Sequence, residues 1–257
     1  MNNFKGVDYK TLCQIAKKTN SKSKLLKLCE LDDVLVEDCL VNRKDLFLEL
    51  AENLYKKEYH HSALAWNPSC PPQILEKLSL SLDPTIRNGV ANNPNTPEYI
   101  LGKLLNDSYD YIQEGVVWNA SLSIKMQMEI FSKHIGNLDR VLFRRKDLAP
   151  AIEREAIKRS LALRRFIAMK RTTSLGVLTI LSKDSEVKIR YAVASNINTP
   201  KEVLTYLAAD KNFGVRMAIA KNKESPIEAI DILINRKSKS RALQNVLRKR
   251  VSGLISL

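Results

Sequence analysis

The sequence is poor in the residues that build sheets and catalytic sites. It has 8 glycines among 257 residues, and aromatics make up 6%. A barrel or sandwich needs turn formers and strand formers at short, regular intervals, so this shortage argues against an all-β fold. Histidine is rarer still, with His60, His61 and His134 as the three. The first two are adjacent, and neighbours on a helix do not face each other, which does not suit a two-histidine metal site. No uninterrupted apolar stretch approaches the roughly 18 residues that span a bilayer. The opening residues, "MNNFKGVDYK", hold no apolar signal-peptide core, so a cytoplasmic protein with no membrane partner is expected. The four cysteines, Cys13, Cys29, Cys39 and Cys70, make no C-x-x-C pair and read as small buried hydrophobes. Walker loops, G-x-G-x-x-G, H-E-x-x-H and G-x-S-x-G are missing too. No catalytic residue, metal or cofactor is assigned.

What is present is a repeat. "VANNPNTPEYILGKLLND" begins at Val90, "VASNINTPKEVLTYLAAD" begins at Val193, and the two agree in register at nine positions. With the central Asn as marker, Asn67, Asn93 and Asn119 are 26 apart, as are Asn196 and Asn222. The 77 residues between Asn119 and Asn196 fit three units, with degenerate copies around Arg145 and Lys170. Asn42 and Lys18 extend the series upstream at intervals of 25 and 24. About nine units of 24–26 residues thus cover the chain as a single domain over 1–257. Residues 1–59 are divergent repeats, 60–240 clearer ones, and 241–257 a C-terminal cap.

Each unit has a simple physical reading. A short apolar segment such as "IRYAVASN" forms a first helix. In Asn-x-x-Thr-Pro, Thr reads as an N-cap and Pro as the first residue of a longer second helix. Glu98 and Glu202 follow in its first turn, at the positive end of the helix dipole. Ile100, Leu101 and Leu104 match Val203, Leu204 and Leu207, and the i, i+1, i+4 spacing makes one apolar face. The recurring Asn reads as a turn residue that tolerates left-handed backbone and bonds nearby main chain. Asp184 and Asp210, six residues before Arg190 and Arg216, read as a ladder tying each turn to the next helix. One unit cannot bury its face alone, so stacked units sharing a core are expected: an all-α fold, an α-solenoid.

The pattern "VR..VA.N..TP.EVL..LA.D" resembles the leucine-rich repeat variant family, a relative of the HEAT-type α-solenoids. The match is good over 60–111 and 189–240, and weak over 138–163 and the first 59 residues. The resemblance implies a right-handed superhelix of alternating helices. A family member carries an iron–sulfur cluster on closely spaced cysteines. The cysteines here, separated by 16, 10 and 31 residues, depart from that pattern.

Function is carried by charge. Residues 1–128 hold 15 Lys/Arg and 16 Asp/Glu, whereas 129–257 hold 27 and 12. Excess positive charge of this size points to a polyanionic partner. Candidate nucleic-acid-binding residues are Arg144, Arg145, Lys146, Lys158, Arg159, Arg165, Lys170, Arg171, Lys221, Arg236 and Lys237. Several recur at unit spacing, which suits a band tracking a phosphate backbone of DNA or RNA. Trp66 and Trp118, each just before a marker Asn, join them as aromatics that stack on bases or pack on a partner. The expected function is a non-enzymatic binding scaffold for nucleic acid. Two alternatives stand beside it: a protein–protein scaffold with an acidic partner, and a basic base-excision enzyme like the HEAT-like DNA glycosylases, whose architecture and charge the chain resembles.

Overall fold

The structure is a computed structural model that describes residues 4, 6–133, 138–236 and 240–255. The described residues are helical, with no strand among them. They divide into two compact units, Met1–Leu142 and Phe143–Leu257. Unit 1 holds α1 (Tyr9–Lys18), α2 (Lys22–Cys29), α3 (Val34–Val41), α4 (Leu48–Tyr55), α5 (His61–Trp66), α6 (Pro72–Leu78), α7 (Pro84–Asn92), α8 (Glu98–Leu104), α9 (Asp110–Trp118), α10 (Ile124–Lys133) and α11 (Leu138–Leu142). Unit 2 holds α12 (Pro150–Arg159), α13 (Leu161–Met169), α14 (Leu175–Leu181), α15 (Val187–Ser195), α16 (Lys201–Ala208), α17 (Phe213–Lys221), α18 (Ile227–Asn235) and α19 (Arg241–Ile255).

The helices alternate between two layers. In unit 1, α1 packs on α3, α5 on α7, α7 on α9 and α9 on α11, while α2 packs on α4 and α4 on α6. In unit 2, α13 packs on α15, α15 on α17 and α17 on α19, with α12 on α14 and α16 on α18 beside them. Odd-numbered helices thus stack as one layer and even-numbered ones as the other, the arrangement of an α-solenoid. The two helices of a repeat are closer in length than the sequence suggests. Nine residues in α7, α15 and α17 stand against seven, eight and nine in α8, α16 and α18. The predicted apolar face is the core: Ile100, Leu101, Leu104, Val203, Leu204 and Leu207 are all buried.

The marker Asn holds successive repeats together, and it does so in extended backbone. Asn93 sits at φ −74°, ψ 123° and Asn196 at φ −77°, ψ 126°, so the expected left-handed turn is replaced. The side chain explains the choice. The Asn93 amide donates to Ala65 O and Asn67 O at 2.7 Å each, and its Oδ1 accepts Asn95 N–H at 2.9 Å. Asn119 donates to Ala91 O and Asn93 O at 2.8 Å each. In unit 2, Asn196 donates to Ala168 O and Lys170 O at 2.9 Å each, and Asn222 to Ala194 O and Asn196 O at 2.8 and 3.1 Å. Each Asn therefore satisfies carbonyls left open at the end of the preceding repeat's odd helix.

The Thr of the motif does a related job. Thr96 and Thr199 do not cap the following helix, where Pro97 and Pro200 stand at the N-cap position. Their buried hydroxyls donate backwards, to Val90 O and Val193 O at 2.6 Å each. With its N–H missing, the following Pro begins the even helix without needing that hydroxyl.

The Arg–Asp ladder exists with a different register. Arg190 donates to the Asp210 carboxylate, 20 residues ahead, at 2.6 and 3.2 Å, and to Asp184 O and Ser185 O behind it at 2.8 and 2.9 Å. Arg87 repeats this with Asp107 at 2.7 and 3.1 Å and with Ser81 O and Leu82 O. The residue six back, Asp184 or Ser81, is thus met through its main chain, and the Asp of the next turn through its side chain.

Candidate nucleic-acid interface

From the second repeat on, the residue at the marker position, here called the rung residue, is Arg43, Asn67, Asn93 and Asn119 in unit 1. In unit 2 it is Arg145, Lys170, Asn196 and Asn222. Arg43 takes the place the sequence spacing gave to Asn42. Its guanidinium donates to Ala16 O and to Thr19 O, the latter at 3.0 Å, and pairs with Asp45 at 2.7 Å. The same Arg-Lys-Asp-Leu recurs at 145–148, where Arg145 is 3% exposed and pairs with Asp147 at 2.5 Å. The guanidinium holds Asp147 below the usual carboxylate range.

Lys170 is also inside. Its side chain is 9% exposed and its ammonium lies 3.9 Å from Glu153, itself 1% exposed. Burial pushes the Lys170 pKa down, against the pull of Glu153 and Asp147. Glu153 in turn accepts Ser174 N–H at 2.9 Å. Arg145 and Lys170 were expected among the phosphate-binding cations. Their burial and their carboxylate neighbours give them a place inside the fold instead.

The remaining candidates among the described residues are exposed. Arg144 and Lys146 flank Arg145, Arg171 follows Lys170, and Lys221 ends α17. None of the four makes an ion pair among the described residues. Lys223, which the sequence reading passed over, stands one after Asn222, as Arg171 stands one after Lys170. Aligning the repeats on the rung residue was the signal that finds it. Arg171, Lys221 and Lys223 line the turns at the C-termini of α13 and α17, and Arg144 and Lys146 open unit 2 in the turn that follows α11. Arg165 lies apart on the exposed face of α13. Lys158 and Arg159 are at the end of α12 in the other layer, with Lys158 2.7 Å from Glu155. Arg236 follows α18 and donates to Ala209 O at 3.2 Å. Lys237, like His134, falls outside the described residues.

Trp66 and Trp118 end α5 and α9 in unit 1, half-exposed at 50% and 47%. Trp66 lies against the next odd helix at Gly89. A Cβ there would stand 3.0 Å from Trp66 Nε1 and 2.8 Å from Ala65 Cβ, so only glycine admits the indole so closely. The tryptophans and the cations belong to different units.

The two adjacent histidines that sequence spacing set aside are structural, and His61 Nε2 lies 2.8 Å from Tyr55 O. Glu37, wholly buried, accepts from Tyr59 OH at 2.8 Å, lies 2.9 Å from His60 Nε2, and pairs with Lys57. Glu37 and Lys57 are 20 apart, as are Arg87 and Asp107, so this is the Arg–Asp ladder with its charges exchanged. Cys29 and Cys70 are buried as expected, and burial pushes the Cys70 thiol up to about 12. Cys13 and Cys39 are only half-buried, because they lie toward the surface of α1 and α3. No helix among the described residues is long and apolar enough to cross a membrane.

No protein-family description and no curated protein matches the chain. Among solved structures it resembles "a leucine-rich repeat variant with a novel repetitive protein structural motif" at 17% identity, over 86% of this chain and 88% of that one, with a TM-score of 0.52. At that identity the likeness is one of fold: the chain is an all-helical solenoid built as the leucine-rich repeat variant is.

Proposed function

We propose that unit 2 is a binding scaffold for nucleic acid, engaged through the phosphate backbone along the ridge of odd-helix ends. One observation carries the reading. Of the eight positions that flank the rung residues of unit 2, five are Arg or Lys: Arg144, Lys146, Arg171, Lys221 and Lys223. In unit 1 the eight equivalent positions hold Lys44 as their one cation, beside Asn42, Trp66, Pro68, Asn92, Pro94, Trp118 and Ala120. Cations at a helix C-terminus also complement its dipole. In unit 1, α5, α7 and α9 end without them, whereas α1 ends in Lys17 and Lys18, so the fold does not require them at every repeat. Within unit 2, α13 and α17 stack on either side of α15 at about 8–10 Å per helix, so Arg171 and the pair Lys221 and Lys223 stand about two helices apart, a span that a polyanion can follow.

The test is binding of nuclease-treated protein to labelled single- and double-stranded DNA and RNA across a salt series. Each phosphate neutralised contributes about 0.7–0.9 to the log–log slope. The informative variant is Arg144→Glu/Lys146→Glu/Arg171→Glu/Lys221→Glu, which leaves the buried Arg145 and Lys170 in place. Its affinity should fall by about 100-fold or more and its slope by roughly 3, with the thermal transition unmoved. Unchanged affinity overturns the reading.

A further inference from the structure

The odd-helix surface of unit 2 also carries a groove that the ridge does not use. It lies between α13 and α15, has a volume of about 570 Å³, and is lined by Arg165, Met169, Val187, Lys188, Tyr191 and Ser195 among others. No acidic side chain lines it. Tyr191 and Met169 expose 49% and 61% of their surface. Arg165 and Lys188 are exposed and make no ion pair among the described residues. Lys188 and Tyr191 are three apart on α15, hence on one face of the helix.

The equivalent place in unit 1, between α5 and α7, is occupied by the protein itself. There Trp66 lies on Gly89. In unit 2, Met169 stands where Trp66 does, one before the rung residue, and Ala192 stands where Gly89 does. The indole is gone, and an apolar floor with an exposed aromatic ring remains between two unpaired cations. A flat π-face with phosphates on either side is the chemistry that matches this lining. A base stacked in a duplex has no face to offer, whereas an unpaired one does.

We infer that the groove receives a nucleobase of a single-stranded nucleic acid, stacked on Tyr191 beside Met169, with the flanking phosphates on Arg165 and Lys188. The inference rests on the reading of unit 2 as a nucleic-acid binder and specifies which form it prefers.

The experiment compares a short labelled oligothymidylate with an abasic oligonucleotide of equal length, by fluorescence anisotropy. Wild-type protein should bind the oligothymidylate about tenfold more tightly, in keeping with the stacking of a single base. Tyr191→Ala should erase that preference and leave the salt slope unchanged, while Tyr191→Phe keeps both. Because Tyr191 is half-exposed, its truncation leaves the melting temperature in place, which circular dichroism checks. Equal binding of the two probes by wild type, or a preference that survives Tyr191→Ala, overturns the inference. If both probes bind equally and lose affinity when the ridge is reversed, the phosphate reading stands and the groove reading falls. If neither probe binds, both fall.

Discussion

Asn93 in unit 1 and Asn196 in unit 2 make the same three hydrogen bonds, two to carbonyls of the preceding repeat and one from the N–H two residues ahead. Their surroundings on the surface do not match. Unit 1 holds 17 Lys/Arg and 18 Asp/Glu, unit 2 holds 25 and 10. The ladder that stacks the repeats is therefore indifferent to the charge of the ridge beside it. A solenoid separates the two tasks by position: rung, core and Arg–Asp residues face neighbouring repeats, and the residues flanking the rung face solvent. Charge accumulates on the second set without cost to the first.

The sharpest way to break that equivalence is to reverse one rung. Asn93→Asp and Asn196→Asp keep the shape but replace an amide donor by a carboxylate facing two carbonyls. Each should cost roughly 3–5 kcal/mol, the scale for an uncompensated buried charge. Alanine at either site should cost about 2–3 kcal/mol for the orphaned groups. Urea titrations of the four variants should give matched losses in the two units. A rung that tolerates Asp would show that the ladder carries little of that unit's stability.

The second comparison lies inside unit 2. Leu178 and Leu204 are core residues on α14 and α16. At the equivalent place on α12 stands Glu153, and at the rung that follows it stands Lys170. The polar pair thus replaces a Leu and an Asn together. Glu153→Leu alone strands the Lys170 ammonium and should cost about 3 kcal/mol, whereas Glu153→Leu/Lys170→Asn should be neutral or stabilising by about 1–4 kcal/mol. Because burial lowers the Lys170 pKa from 10.5, the unfolded chain binds more protons at alkaline pH. Stability of unit 2 should then rise as pH climbs toward 10.5, and the double variant should lose that rise. A single variant as stable as wild type would remove the pairing argument.

Much of this was legible in the sequence. The 26-residue interval between Asn67 and Asn93 sets the repeat, and the i, i+1, i+4 leucines set the core face, because both obey strict periodicity. The sequence also placed Arg145 and Lys170 at rung positions but counted them as surface cations. Charge is visible in a sequence and burial is not. What made both residues structural is a partner, Asp147 two residues away and Glu153 on the preceding even helix. The same blindness hid the groove. It exists because Met169 replaces a tryptophan and Ala192 a glycine, a contrast that emerges only once the repeats are aligned on the rung. Thr96 misled for another reason, since a hydroxyl before Pro suits an N-cap and a backward bond equally well until the preceding helix is in place.

The smallest effect is in the Arg–Asp ladder. Arg87 hydrogen bonds hold Asp107 below its ordinary value of 3.8. Burial pushes Asp210 up, but the bonds from Arg190 outweigh it and its pKa is also lowered. The folded protein therefore binds fewer protons than the unfolded chain at these sites. Their stabilisation is complete above about pH 4 and is lost as pH falls through the folded values. Asp107→Asn and Asp210→Asn should each cost about 1–2 kcal/mol at neutral pH, the scale of a charge-assisted hydrogen bond. Their stability curves should meet that of wild type on the acid side. Hydrogen exchange read separately on α7 and α15 distinguishes the units. Both carboxylates are lowered from the same ordinary value of 3.8, so α7 and α15 should begin to lose protection together below about pH 4. Unequal onsets would mean that the two Arg–Asp pairs are electrostatically unlike, and that the difference between the units is not confined to their ridges.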